Sequence, residues 1–132
     1  MSEGRIRDYM SLSPRTVPLA THIAAAWALM QQHRIRHLPV VENGRVVGLI
    51  SDRDLQVLRA LHGVDPDDIH VSELMQGDPY VVGPDEPIQR VAHEMATRRI
   101  GSAVVVDNDE VVGIFTTTDA LLAMEARPCA PA

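Results

Sequence analysis

The chain contains an internal duplication. Residues 71–119 repeat residues 6–54 at a constant spacing of 65 positions without a gap, and 14 of the 49 aligned positions are identical. About three identities are expected by chance at ordinary residue usage. The identical pairs include Met10 and Met75, Gly48 and Gly113, and Asp54 and Asp119. A duplication of this length predicts two copies of one supersecondary unit.

Two helices are predicted in each repeat. Apolar residues recur at i, i+3, i+4 and i+7, the spacing of a helix with one buried face. This stripe consists of Ile23, Ala26, Trp27 and Met30 in the first repeat and of Ile88, Val91, Ala92 and Met95 in the second. We place the starts of these helices at Thr21 and Glu86, and a closing helix at about 52–61 and 117–126.

Short strands separate the two helices of each repeat. Segments 37–41 and 102–106 are rich in β-branched residues and too short for helices, which predicts strands. Asn43-Gly44 and Asn108-Asp109 follow them and tolerate positive φ, so each predicts a tight hairpin into a further strand. These further strands are placed at 45–50 and 110–115, and brief extended pieces precede the first helices at 16–17 and 80–82.

The predicted order is therefore β-α-β-β-α, twice, which is an α+β fold. A repeat of this size with one small sheet is marginal on its own, so we expect the repeats to pack sheet to sheet about a pseudo-twofold axis and to leave a cleft. We place the first domain with its lead-in at 1–65, the second at 66–126 and a flexible C-terminal tail at 127–132.

Composition narrows the classes of function. The 132 residues include 12 Lys plus Arg, all of them arginine, against 18 Asp plus Glu, a formal net charge of −6. Without basic excess, general nucleic-acid binding is disfavoured. The lone Cys129 allows no internal disulfide or Cys-based zinc site, and the histidines show no metal-ligand spacing. The longest helical apolar run, 23–30, is shorter than the roughly 20 residues of a membrane span, and no signal peptide is recognisable. We expect a cytoplasmic protein without membrane attachment or metal.

One motif ends the second hairpin strand of each repeat and leads into the closing helix. It reads Gly48-Leu-Ile-Ser51-Asp-Arg-Asp54 and Gly113-Ile-Phe-Thr116-Thr-Thr-Asp119. Free N–H groups and the helix dipole favour an anion at such a junction, where the hydroxyl can donate to phosphate. The carboxylate three residues later lies about 5–6 Å away on the same side of the turn and can accept from ribose hydroxyls.

The same spacing is also that of a capping box, in which hydroxyl and acid serve only the helix. Recurrence of the motif in both repeats favours a ligand role, and the two roles are compatible. Catalysis is not expected, because Ser51 and Thr116 have no neighbouring base and a chain without lysine has no Lys-type phosphate loop.

With these repeats and motifs, the sequence resembles a tandem pair of cystathionine-β-synthase (CBS) domains, a Bateman module. The resemblance spans residues 6 to about 126. It rests on the two Gly-to-Asp motifs, on the lead-ins Met10 to Val17 and Met75 to Val82, and on the strands Ile35 to Val41 and Ile100 to Val106. It implies a regulatory module that binds an adenosine-containing ligand such as AMP, ADP, ATP or S-adenosylmethionine in the cleft between the repeats.

The resemblance also implies roles for single residues. Asp54 and Asp119 would hold ribose, and Ser51 and Thr116 would meet phosphate. The adenine pocket would be lined by backbone around Thr16, Val17, Val82, Ser102 and Ala103.

The first repeat differs from the second in basic residues. Arg36, His37 and Arg53 stand where the second repeat has Gly101, Ser102 and Thr118. They are candidate phosphate contacts, so unequal pockets are expected. The alternatives are that Arg36 and His37 are solvated strand-edge residues, and that Arg53 pairs with its acidic neighbours at the surface.

The expected assembly is a homodimer formed through helices, acting on a separate regulated protein. The apolar residues proposed for the dimer contact are Leu55, Leu58, Leu61, Leu121, Leu122 and Met124. The alternatives are a structural dimerisation scaffold that binds no ligand and, ranked last, an enzyme acting on a nucleotide.

Overall fold

The computed structural model describes residues 4–12 and 15–126, and its contacts divide them into two compact units. One contains residues 15–79 and is called here the Ser51 unit. The other combines residues 4–12 with 80–126 and is called the Thr116 unit. The predicted tail at 127–132, with Cys129, lies outside the described residues.

The Ser51 unit is a four-stranded sheet with three helices. Its strand order is β1-β2-β3-β4, with β1 parallel to β2 and the other neighbours antiparallel. A 3₁₀ turn at Pro66–Asp68 lies in the connector between the repeats. The elements are β1 (Val17–Pro18), α1 (Ile23–His33), β2 (His37–Glu42), β3 (Arg45–Ser51), α2 (Asp52–Arg59), α3 (Val71–Leu74) and β4 (Gln76–Gly77).

The Thr116 unit has the same plan. Its three-stranded sheet has the order β5-β6-β7, with β5 parallel to β6 and β6 antiparallel to β7. A 3₁₀ turn at Ile6–Asp8 belongs to this unit. The elements are β5 (Val81–Val82), α4 (Ile88–Arg98), β6 (Ser102–Asp107), β7 (Glu110–Thr116) and α5 (Thr117–Ala126).

The β-α-β-β-α order is thus confirmed in both repeats, with small changes at the ends of elements. The helices α1 and α4 begin at Ile23 and Ile88, two residues later than predicted. His22 and Pro87, which precede them, have extended backbone and therefore stand outside the helix. The closing helix α2 ends at Arg59, short of the predicted residue 61.

Both hairpin predictions are also confirmed. Asn43 and Gly44 have φ of 52° and 77°, and Asn108 and Asp109 have φ of 52° and 64°. Positive φ at both central positions matches the right-handed twist of the flanking strands, so the two-residue loops close without splaying them.

Each unit has its own aliphatic core. Five of the eight residues in the predicted stripes on α1 and α4 are buried, and Trp27, Ile88 and Ala92 are half-buried. The guanidinium of Arg59 lies 4.8 Å from the ring centre of Trp27. The buried face of α2 contains Leu55 and Leu58, which lie in the core of the Ser51 unit. Their assignment to an outward dimer surface is wrong, because this face of the helix packs on the sheet.

The lead-in of each repeat pairs with the sheet of the other repeat. Residues Gln76 and Gly77 of β4 pair with Leu49 and Gly48 of β3. The compact units therefore divide near residues 12 and 79, whereas the boundary predicted from the repeat lies at 65.

No helix within residues 4–12 and 15–126 is long and apolar enough to cross a membrane.

Candidate functional site

Ser51 is the last residue of β3 and the N-cap of α2, and its contacts with Asp54 form a capping box. The Ser51 N–H and hydroxyl donate to Asp54 Oδ2 over 3.0 and 2.9 Å. The Asp54 N–H donates back to Ser51 Oγ at 3.3 Å. Side chain and backbone thereby satisfy donors that the first turn of a helix leaves free.

Thr116 and Asp119 repeat this arrangement at the start of α5. The Thr116 N–H and hydroxyl donate to Asp119 Oδ2 over 2.8 and 3.1 Å, and the Asp119 N–H donates to Thr116 Oγ1 at 3.2 Å. Asp119 is only 8% exposed, whereas Asp54 is half-buried. The capping interpretation of the motif is therefore correct in geometry for both repeats.

The bonding leaves part of each carboxylate available. Both donors in each box bond to Oδ2, and Oδ1 of Asp54 and of Asp119 accepts no hydrogen bond from the residues that the structure describes. An ionised carboxylate accepts about four hydrogen bonds, so each still offers acceptor sites for hydroxyl donors. The hydroxyl of Ser51 or Thr116 has only one proton, which it donates to Oδ2 of the aspartate. To donate to a phosphate instead, the hydroxyl would have to rotate so that this proton points away from Oδ2.

The start of the preceding strand lies beside each box. His37 pairs with Ser51, and Ser102 pairs with Thr116, in the registers of β2 with β3 and of β6 with β7. The Asp52 N–H donates to the Arg36 carbonyl at 2.9 Å. The structure thus places the backbone of Arg36 and His37 beside the Ser51–Asp54 pair.

The second repeat forms the same backbone bond at this point and adds a side-chain bond to it. Thr117 donates to the Gly101 carbonyl through both its N–H, at 3.0 Å, and its hydroxyl, at 3.2 Å. Gly101 and Thr118 are exposed and carry no charge. This junction therefore has the hydroxyl and carboxylate of the first repeat without its arginines.

The two arginines of the first repeat are exposed. Within the described part of the chain, Arg36 and Arg53 form no ion pair, so the predicted surface pairing of Arg53 with Asp52 and Asp54 is not observed. The Arg36 backbone contacts the first residue of α2 and Arg53 is in its first turn, so both arginines belong to the N-terminal end of this helix.

Three of the five residues assigned to adenine are buried as whole residues. Val17, Val82 and Ala103 are 3% exposed or less, and their side chains lie in the two cores. Thr16 and Ser102 are half-buried. Val17 lies opposite Val40 and Val82 opposite Val105 in the parallel pairs, so each short strand is held against the middle strand of its unit.

The glycine of the motif has a structural role that its spacing alone does not indicate. A Cβ on Gly48 would collide with Met75, and a Cβ on Gly113 would lie 2.8 Å from the Ser11 carbonyl oxygen and 2.9 Å from Met10 Sδ. The glycines thus make room for the exchanged lead-ins. The identity of Met10 with Met75 was the available signal, since the same partner recurs opposite each glycine.

Among residues 4–12 and 15–126, no group of three or more His, Cys, Asp or Glu side chains is arranged to hold a metal ion.

Comparison with known proteins decides the family. The family described as the CBS domain matches residues 6–59 and again residues 71–126. The chain belongs to the CBS domain family. The two matches coincide with the two sequence repeats, so the resemblance drawn from the motifs is confirmed.

Related CBS proteins differ in how much they contain besides the pair. CBS domain-containing protein YhcV of Bacillus subtilis is 31% identical over 114 residues, which cover 86% of this chain and 81% of that protein. L-aspartate semialdehyde sulfurtransferase of Methanocaldococcus jannaschii is 32% identical over 116 residues, which cover 86% of this chain but only 22% of the enzyme. In that enzyme the CBS pair is a part of a larger protein.

A solved CBS pair has the same fold. The CBS domain pair of protein MJ0100 superposes with a TM-score of 0.78 at 28% identity, covering 94% of this chain and 98% of that one. That structure is a complex with 5′-methylthioadenosine and S-adenosyl-L-methionine.

Proposed function

We propose that this chain is a non-enzymatic regulatory module that binds adenosine-containing ligands through the Ser51–Asp54 and Thr116–Asp119 pairs. Candidate ligands are AMP, ADP, ATP and S-adenosylmethionine. Each carboxylate would accept the ribose hydroxyls on Oδ1, and where the bound ligand carries a phosphate, the helix start and its hydroxyl would face it.

The observation that carries this proposal is that Oδ1 of each carboxylate accepts no hydrogen bond from the described residues, although Asp119 is only 8% exposed. A buried carboxylate with unused acceptor capacity is costly unless a donor reaches it, and a ribose diol supplies two donors. Each charge-assisted bond of this kind contributes about 1.5–3 kcal/mol. The adenosine ligands of the MJ0100 pair, at 28% identity, support the same ligand class here.

The adenine would meet the protein through main-chain groups. Val17, Val82 and Ala103 are 3% exposed or less as whole residues, so they would position the neighbouring main chain rather than present a side chain to the base. Thr16 and Ser102, which are half-buried, complete this proposed lining.

Regulation would follow from differential affinity. A ligand that binds one conformation more tightly shifts the population toward it, and a separate partner protein would sense that shift. For self-association we propose exposed apolar side chains of the closing helices together with Leu61, two residues after the end of α2. These are Val57, Leu61, Leu121, Leu122 and Met124, all at least 50% exposed.

The test is thermal unfolding of the full chain with AMP, ADP, ATP and S-adenosylmethionine. A ligand at 100 times its Kd adds about 2.7 kcal/mol to the free energy of unfolding. We expect at least one of the four to raise the Tm, and the rise to disappear in the double variant Asp54→Ala with Asp119→Ala. Binding that survives this double variant would show that the ribose assignment is wrong.

Asp65→Ala provides a matched control. Asp65 also caps a turn, with Oδ1 accepting the Asp67 N–H at 2.9 Å, but it lies in the connector outside the motif. It should lower apo stability through the lost cap while leaving ligand affinity unchanged.

A dimerisation scaffold without ligand is the second candidate, and the complete capping boxes favour it, because they give both aspartates a structural role. It predicts no Tm shift with any adenosine compound. It also predicts that Leu121→Glu with Met124→Glu converts a dimer to a monomer in analytical ultracentrifugation, whether or not nucleotide is present.

A further inference from the structure

The two hydroxyl–carboxylate pairs are alike in geometry but differ in the charges around them. Arg36, Arg53, Asp52 and Asp54 lie at the helix start in the Ser51 unit, and their formal charges cancel. At the corresponding positions the Thr116 unit has Gly101, Thr118, Thr117 and Asp119, with a formal charge of −1. We call the Ser51–Asp54 pair with its helix start the Ser51 site, and the Thr116–Asp119 pair with its helix start the Thr116 site. From the difference in charge, and resting on the proposed function, we infer that the Ser51 site takes a phosphorylated adenosine and that the Thr116 site takes an adenosine without phosphate.

The Ser51 site has the groups that a phosphate needs. Arg36 is tied to the first turn of α2 by its carbonyl, which accepts the Asp52 N–H at 2.9 Å, and Arg53 is in that turn. Neither guanidinium is engaged by another described residue, so phosphate binding breaks no existing ion pair. Arginine forks bind phosphate in two-point geometry and remain charged at all working pH values.

The Thr116 site opposes a phosphate. Asp119 is 8% exposed and forms no ion pair with the residues that the structure describes, and the positions that correspond to Arg36 and Arg53 are uncharged. A phosphate brought to the start of α5 would be repelled by this carboxylate in surroundings that screen charge poorly. The hydroxyls of a nucleoside keep their bonds to Asp119 without that repulsion, and a positively charged ligand group would be attracted to it.

Two variants isolate the sites within the full-length chain. Asp119→Asn leaves the Asp54 carboxylate of the Ser51 site intact, and Asp54→Asn leaves the Asp119 carboxylate of the Thr116 site intact. Both substitutions keep the size of the side chain. We would measure affinities for AMP and for adenosine by isothermal titration calorimetry. The Asp119→Asn protein should prefer AMP over adenosine by about tenfold or more, and the Asp54→Asn protein should prefer adenosine by a similar factor.

Exchanging the charged residues between the two sites tests whether the arginines cause the difference in ligand preference. In the Asp119→Asn background, Arg36→Gln with Arg53→Gln should weaken AMP about tenfold or more and change adenosine by less than about twofold. In the Asp54→Asn background, Gly101→Arg with Thr118→Arg should create AMP binding. Gly101 allows this change, since the nearest atom to a new Cβ, Thr117 Oγ1, is 3.9 Å away. Gly101→Gln with Thr118→Gln in the same background is the uncharged control. It should not bind AMP more tightly than the Asp54→Asn protein.

The outcomes separate the two proposals. If AMP and adenosine both bind but each isolated site prefers the same ligand, this inference is overturned and the proposed function stands. If neither ligand binds the unsubstituted chain at any workable concentration, this inference is overturned, and the proposed function is overturned with it if ADP, ATP and S-adenosylmethionine also fail to bind. Opposite preferences that reverse with the transplanted arginines support the inference.

Discussion

Ser11 and Ile114, 103 positions apart in the sequence, exchange two backbone hydrogen bonds of 2.9 Å each. The first residue belongs to the lead-in of the first repeat and the second to β7 of the second repeat. Gln76 and Leu49 form the corresponding pair in the other direction. Each unit is therefore completed by a segment from the other repeat, and a Cβ on either motif glycine would collide with that segment.

Replacing these glycines should show how tight that approach is. Gly113→Ala places a Cβ 2.8 Å from the Ser11 carbonyl oxygen, a backbone atom that cannot rotate away. Gly48→Ala collides mainly with the flexible Met75 side chain, and its nearest backbone atom, the Gln76 oxygen, is 3.1 Å away. We expect a loss of about 1–3 kcal/mol in the free energy of unfolding at 113 and a smaller loss at 48, measured by urea denaturation.

Gly77→Ala is the control for this pair, because nothing lies within 4 Å of its new Cβ. It should change the free energy of unfolding by less than either of the other variants. An equal or larger loss at 48 than at 113 would contradict the backbone argument.

The two hairpins offer a second matched pair. Asp109 and Gly44 occupy equivalent positions with φ of 64° and 77°. Positive φ costs a residue with a side chain roughly 1–2 kcal/mol, and glycine loses about 0.5–1 kcal/mol more conformational entropy on folding. Asp109→Gly should therefore raise the free energy of unfolding by about 0.5–1 kcal/mol, and Gly44→Asp should lower it. Chemical denaturation of both variants checks the sign, and a change of the same sign in both would refute the argument.

Local patterns in the sequence were enough to predict most of each repeat. The β-branched segments, the Asn-containing turns and the apolar stripe ending at Met30 and Met95 each depend on neighbours a few residues away. The site junctions at Ser51 and Thr116 were predictable for the same reason, since strand, motif and helix are consecutive.

The exchange of lead-ins was not predictable from such patterns. Met10 and Met75 are identical, as are Gly48 and Gly113, so pairing within a repeat and pairing between repeats have the same local chemistry. A two-residue strand such as β4 also carries too little alternation to identify its partner. The burial of Asp119 depends on the packed surroundings of α5 and has no signal in the motif, which is nearly the same around Asp54.

Acid should weaken the attachment of the N-terminal segment to the Thr116 unit. Arg7 Nε donates to Asp85 Oδ1 at 2.7 Å, and this bond, together with the charges of Arg7 and Arg5, holds the pKa of Asp85 below its usual 3.8. A carboxylate whose pKa is lower in the folded than in the unfolded protein stabilises the fold at pH values above the unfolded-state pKa. This stabilisation is lost as the pH falls through the pKa of the folded state.

Asp85→Asn should remove this acid dependence. Unfolding free energies measured from about pH 6 to pH 2 should show the unsubstituted chain more stable above about pH 4 and the two proteins converging below it. Arg7→Gln is the matched control, since it removes the same ion pair from the other side. The prediction fails if the difference between the chain and Asp85→Asn stays constant over this range.

The hydroxyl of Thr116 should matter more to apo stability than that of Ser51. Each hydroxyl donates to its aspartate and accepts from a backbone N–H, and loss of such a cap costs about 0.5–2 kcal/mol. Asp119 is 8% exposed and has little access to replacement water, whereas the half-buried Asp54 is better hydrated. Thr116→Val should therefore fall at the upper end of that range and Ser51→Ala at the lower end in urea denaturation. Thr116→Ser is the control, because it keeps the hydroxyl and so loses neither partner of the hydrogen bonds. Its free energy of unfolding should remain within a few tenths of a kcal/mol of that of the unsubstituted chain. If Thr116→Ser loses as much stability as Thr116→Val, the effect comes from the methyl group and not from the hydroxyl.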